Sequence, residues 1–133
     1  MNKLVARCLD GRLIKGLVLD FSPSKEVVHV VDSNDSKRTT EIHTSELKAL
    51  FFVKSVDGDP QHNPSSEFSK ESLKGIPGLK LRVTFRDGEV LFGTTNGYSA
   101  GRPGFFLIPA DKKSNNIRVY VYTAATRSVE TWT

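Results

Sequence analysis

The chain has 133 residues, 38% hydrophobic and 26% charged, the balance of a globular protein with room for one ordinary domain or two very small ones. Its net charge of +4 is spread evenly, since residues 1–54 carry 9 Lys and Arg against 7 Asp and Glu and residues 55–133 carry 10 against 8. Neither half is a concentrated basic arm, so a nucleic-acid footprint is not indicated, and the single cysteine, Cys8, excludes an internal disulfide framework.

From its first residues the sequence runs into strand-like alternation, with no apolar leader and no spanning segment. The expectation is a cytoplasmic protein without a membrane span. Residues 4–9 and 13–19 read as strands joined at Asp10-Gly11. Asp-Gly between apolar, β-branched runs is a strong hairpin signal, its glycine supplying the positive φ of a type I′ turn. Alternation points Leu4, Ala6 and Cys8 inward, which makes Cys8 a small core residue rather than a nucleophile. Gly16, in mid-strand, is expected at a bulge or sharp bend. An apolar strand at 27–31 and a second strand at 42–44 follow, then a short 3-10 turn near 45–48. Residues 49–53, Ala-Leu-Phe-Phe-Val, are apolar on both faces. Residues 55–77 form a linker by composition, in which Ser65 or Ser66 would cap a short helix over 67–73. Beyond the linker, 81–86 and 90–95 read as strands about Asp87-Gly88, and Phe105-Phe106-Leu107-Ile108 is again apolar on both faces.

The second half repeats the first. Asp10-Gly11 matches Asp87-Gly88, Gly16 matches Gly93, Phe21 matches Tyr98 and Ser22 matches Ser99, each pair 77 positions apart. With two further residues inserted, 42–44 matches 121–123 and 48–50 matches 127–129. The expected fold is all-β, with little helix: two duplicated small antiparallel β-barrel-like units, 1–54 and 78–133, packed pseudo-symmetrically across the linker. A strand apolar on both faces must be covered on both. Phe51, Phe52, Phe105 and Phe106 therefore either join the units or form an interaction surface for a protein partner, a second copy or a lipid.

Chemistry is sparse. His29, His43 and His62 have no metal-ligand spacing, and Asp57-Gly58-Asp59 opens like a calcium loop but lacks the later ligands and runs into Pro60. No serine sits in a nucleophile elbow and no glycine-rich loop precedes a helix. No catalytic residue, metal or cofactor is therefore expected, and the function expected is that of a non-enzymatic binding or interaction module. Its ligand candidates are Arg82 and Arg86, placed to emerge from one strand face, and the long loop 96–104 with Tyr98 and Arg102. Tyr98 beside Arg102, and Tyr120 beside Arg118, are also placed to stack bases, although core packing and strand decoration are the ordinary roles of such pairs.

Three resemblances attach to these residues. Arg82-Val83-Thr84-Phe85-Arg86 resembles the Arg-x-x-x-Arg element of PilZ domains, which implies a cyclic dinucleotide as small ligand. The Asp/Asn-x-Ser-x-x-Gly motif that follows in those domains is not found after Arg86, and Asp20-Phe21-Ser22 precedes the arginines with Lys25 at the glycine's place. The unit topology resembles Sm-like small barrels, which implies RNA as an alternative ligand. Finally, 47–54 and 97–111, with Asn115-Asn116 and Val119-Tyr120-Val121, resemble signatures of an uncharacterised bacterial domain family. That likeness implies a bacterial, cytoplasmic, regulatory protein and brings no ligand or catalytic residue with it.

Overall fold

The structure, a computed structural model, describes residues 2–18, 20–32, 34, 35, 37–54, 78–98, 101–108 and 116–131. The linker and its short helix, Ser99, and Asp111 and Asn115 of the family signatures lie outside the described residues.

Among the described residues ten strands run in chain order: β1 (Asn2–Cys8), β2 (Leu13–Val18), β3 (Val27–Asp32), β4 (Thr39–His43), β5 (Leu47–Val53), β6 (Leu79–Phe85), β7 (Val90–Thr95), β8 (Gly104–Leu107), β9 (Asn116–Tyr122) and β10 (Thr126–Thr131). Short 3-10 turns, Thr44–Glu46 and Thr123–Ala125, precede β5 and β10. All strand pairings are antiparallel. The fold is all-β, as expected, but its strands do not close into two barrels. They form a seven-stranded sheet in the order β4-β3-β2-β1-β5-β9-β8 and a three-stranded sheet in the order β10-β6-β7. The reason lies in β5. Its second edge pairs with β9 of the other half of the chain, from Ala49 opposite Val121 to Val53 opposite Asn116, and not with its own neighbour β4. Between β7 and β8 the described residues form one isolated bridge, Thr94 with Ile108.

That pairing explains the residues apolar on both faces. Ala49, Phe51 and Val53 face a core built with Leu81, Val83, Phe85, Leu107 and Val119. Leu47, Leu50 and Phe52 face a second core built with Leu4, Ala6, Val28, Val30 and Ile42. β9 is shared in the same way, giving Val119 and Val121 to one core and Tyr120 and Tyr122 to the other. One strand pair is thus a common wall between two cores, and every residue of β5 is buried.

The hairpin positions are as read, but the turn type differs. At these two turns only the glycine has positive φ, Gly11 at 93° and Gly88 at 95°. A type I′ turn would require positive φ at Asp10 and Asp87 as well. Instead Gly11 N–H donates to Cys8 C=O at 3.1 Å and Cys8 N–H to Arg12 C=O at 2.9 Å, with the same pattern from Phe85 to Glu89. This is the three-residue loop with glycine in the bulge position. Asp10 accepts from Arg12 N–H at 3.0 Å and so fixes the turn from outside. Gly16 and Gly93 are not at bulges, since the ladder register runs through both unbroken. A Cβ at Gly16 would collide with the Val31 carbonyl oxygen, and one at Gly93 would lie 2.5 Å from Leu107 Cγ. These glycines let a neighbouring strand approach. The bulges fall at Lys48 in β5, Ile117 in β9 and Arg127 in β10, each skipped by its partner strand.

Candidate functional site

A groove of about 860 Å³ opens where the loop after β7 meets β8 and β9. Its lining comes from 95–97, 102–106, 108, 117, 118 and 120, with Pro23 and Ser24 of the first half closing one side. The floor is aromatic. Phe106 packs edge-on against Tyr120 at 5.0 Å, and Phe21 contacts Tyr120 at 5.1 Å and Phe52 at 5.4 Å between ring centroids. Edge-to-face geometry of this kind adds to the stabilisation that burial alone provides. Gly104 makes the floor possible, because a Cβ there would lie 2.6 Å from Tyr120 Cζ and 2.7 Å from its hydroxyl. Burial raises the Tyr120 phenol above its ordinary pKa, against the opposing pull of the Arg102 charge. Tyr122 is raised further, by burial first and by Tyr120 second.

Two arginines line this apolar basin. Arg118 lies with its guanidinium 4.5 Å over the Phe106 ring and 4.8 Å over Phe52. Stacking of that kind holds the guanidinium by its face and leaves its in-plane N–H donors for another partner. Arg102 is anchored through its backbone. Its carbonyl accepts from the Thr123 hydroxyl at 3.0 Å, and the neighbouring Pro103 carbonyl accepts from Thr123 N–H at 2.9 Å. Among the described residues, neither arginine has a carboxylate within salt-bridge distance, and no acidic side chain lines the groove. The β-bulge at Ile117 leaves that side chain 53% exposed at the rim.

The other sequence-read residues lie elsewhere. Tyr98 is half-buried, its ring 4.9 Å from Phe105, and packs on the core shared with Val83 and Leu107. Arg82 leaves β6 with its Nε 4.0 Å from Glu130. Arg86 is not on that strand with it. It stands in the turn, where its carbonyl accepts from Arg127 at 3.2 Å. Of the four ligand candidates, only Arg102 reaches the groove. Of the residues expected to form an interaction surface, Phe51 and Phe52 are buried in the shared wall, Phe105 is buried in the core beside it, and Phe106 is half-exposed at the groove floor. Cys8 is buried at 3% exposure, and burial raises its thiol pKa. On the far face of β3 and β4, His29 Nδ1 meets Asp20 at 2.7 Å and His29 Nε2 meets Glu41 at 3.4 Å, with His43 next to Glu41 at 3.8 Å. These groups form a line rather than a converging ligand set, and among the described residues no three such side chains are arranged to hold a metal ion.

The match that decides affiliation runs over residues 1–133, the whole chain. The chain belongs to a family of unknown function, DUF6982. An uncharacterised family is what the signatures at 47–54 and 97–111 had implied. Neither a curated protein nor a solved structure matches the chain. Among its described residues no helix is long and apolar enough to cross a membrane.

Proposed function

We propose that this DUF6982 chain is a non-enzymatic binding module built from two copies of one five-strand unit, of which the second carries the ligand site. Several parallels support the duplication. β1 to β5 stand in the order 4-3-2-1-5, and β9-β8 and β7-β6-β10 repeat that order across the Thr94–Ile108 bridge. Gly11 and Gly88 share one φ, both last strands follow a 3-10 turn, and both carry a bulge, at Lys48 and Arg127.

The observation that carries the binding reading is the groove itself. It is concave and mostly apolar, with a few convergent polar groups, as small-molecule sites are. Except for Pro23 and Ser24 it belongs to the second unit, at the glycine-rich loop that the first unit lacks. The family likeness adds a bacterial, cytoplasmic, regulatory setting to the same proposal.

The test is a thermal-shift screen over nucleotides, cyclic dinucleotides, fatty acids and short RNAs, run beside an Ile117→Glu variant. Ile117 is exposed, so this variant alters the rim without opening the core. A true ligand stabilises the native state by roughly 2.7 kcal/mol at about 100 times its Kd, a shift of several degrees. That shift should shrink in Ile117→Glu. A screen with no stabilising compound, or hits that Ile117→Glu leaves untouched, would remove the groove as the site.

A further inference from the structure

We infer that the groove takes an amphipathic anion, a carboxylate or phosphate head on an apolar body, with Arg118 and Arg102 holding the head. This rests on the groove being the binding site. Three observations point to that chemistry together. The walls and floor, including Pro103, Phe106, Ile108 and Tyr120, offer a partner mostly apolar and aromatic surface, with Ser24, Thr95 and Asn96 as the uncharged polar exceptions. A strongly polar body would leave its own hydrogen-bonding groups unsatisfied against that apolar surface. Secondly, among the described residues two guanidinium groups border this surface without a carboxylate partner, and no acidic side chain lines the groove. Thirdly, the Arg118 guanidinium is held in place before any ligand arrives, and the loop that carries Arg102 is fixed through its backbone. Arg118 is stacked on Phe52 and Phe106, and the Arg102 backbone is pinned by Thr123. Preorganised donors lose little freedom on binding, and a planar guanidinium matches the two oxygens of a carboxylate or phosphate in a forked pair.

Carboxylate and phosphate heads share this chemistry, so separate probes are needed. Isothermal titration would compare octanoate, octyl phosphate, octanol and inorganic phosphate against the full chain and against Arg118→Gln and Arg102→Gln. Each variant's melting curve would be recorded first. Arg118 packs on ring faces from outside, and Arg102→Gln leaves the backbone anchors intact, so at least one variant should fold as the parent does. Octanoate or octyl phosphate should bind about tenfold or more tighter than octanol, the worth of a charge-assisted hydrogen bond. The folded arginine variant should lose that preference while still binding octanol at the parent level. A preference for one head over the other identifies the source. Octanol binding as tightly as the anions would overturn the inference while leaving the groove as a binding site. Inorganic phosphate binding as tightly as octyl phosphate would overturn the apolar body. Binding by none of the four would overturn the inference, and the wider screen with Ile117→Glu would then decide the parent reading by itself.

Discussion

The ammonium of Lys48 lies 2.6 Å from the carboxylate of Glu89, and this pair ties the two sheets together. The same ammonium donates to Asp87 at 2.7 Å, and Arg7 reaches Glu89 at 3.3 Å. Lys48 can do this because it is the bulged residue of β5, turned out of the ladder toward the loop between β6 and β7. Its side chain is only 10% exposed and its charge sits 4.7 Å over the Phe85 ring.

Lys48→Met keeps the stem and its contact with Phe85 but removes the charge. Breaking a fully buried pair costs about 3–5 kcal/mol and a surface pair about 0–1. Asp87 and Glu89 are 58% and 36% exposed, so the expected loss is about 1–2 kcal/mol by urea unfolding at neutral pH. Lys48 first, then the Glu89 N–H, holds the Asp87 carboxyl below its ordinary pKa. A lowered folded pKa contributes stability above the unfolded carboxylate value, about 3.9, that is lost as pH falls through the folded one. The acid limb of the stability profile should therefore flatten in Lys48→Met. An unchanged limb would show that Asp87 draws its stabilisation from elsewhere.

His29 predicts the opposite slope. Its hydrogen bond to Asp20, and then that to Glu41, raises the imidazole pKa against partial desolvation. A raised folded pKa contributes stability that is complete below the ordinary imidazole value, about 6.5, and is lost as pH rises through the folded value. The melting temperature should fall modestly from pH 6 toward pH 8, roughly the window in which histidine titrates. In His29→Gln that component should vanish, and proton-detected histidine titration would show directly whether the ring titrates above its usual range.

Gly104→Ala should strain the groove more than the fold. The new methyl would press on the Tyr120 ring and hydroxyl, which are held by Phe21, Phe106 and Tyr122. Overpacking of that kind costs roughly 1–3 kcal/mol. Gly16→Ala is the harsher change, because the atom it meets is the Val31 backbone oxygen, which cannot rotate away. Chemical denaturation should rank the two in that order, and the reverse order would mean that β3 moves aside more easily than Tyr120.

What the sequence disclosed and what it withheld divide along contact range. Asp10-Gly11 and Asp87-Gly88 were legible because a hairpin is decided by adjacent residues, although the turn type was not. Negative φ at Asp10 goes with the Cys8–Arg12 pairing of a three-residue loop, whereas a type I′ turn would pair Leu9 with Arg12, and the local residues suit both. The run Leu50-Phe51-Phe52 disclosed that both faces are covered, but not that β9 covers an edge, since any apolar strand could have paired there. The groove was half legible. Arg102 and the loop 96–104 stood out by their glycines, and Arg118 beside Tyr120 stood out as a basic–aromatic pair. Pro23 and Ser24 carried no signal, because their place in the wall depends on how the two halves dock.

The outer edges yield the last prediction. β4 ends the seven-stranded sheet and β10 the three-stranded one, each with one edge unpaired among the described strands. On the duplication proposed above, β4 corresponds to β9 and β10 to β5, the two strands that do pair across the chain. Where β9 has Tyr120 and Tyr122, β4 has Glu41 and His43; where β5 has Phe51, β10 has Glu130. Charges at such positions blunt an edge, since pairing would bury them against an apolar core. The chain should therefore sediment as a monomer, against the second copy that was one of the alternatives for its apolar strands. The double variant Glu41→Tyr, Glu130→Phe should restore the apolar match and self-associate with rising concentration. An oligomeric wild-type chain, or a double variant as monomeric as its parent in analytical ultracentrifugation, would show that something other than these charges governs the edges.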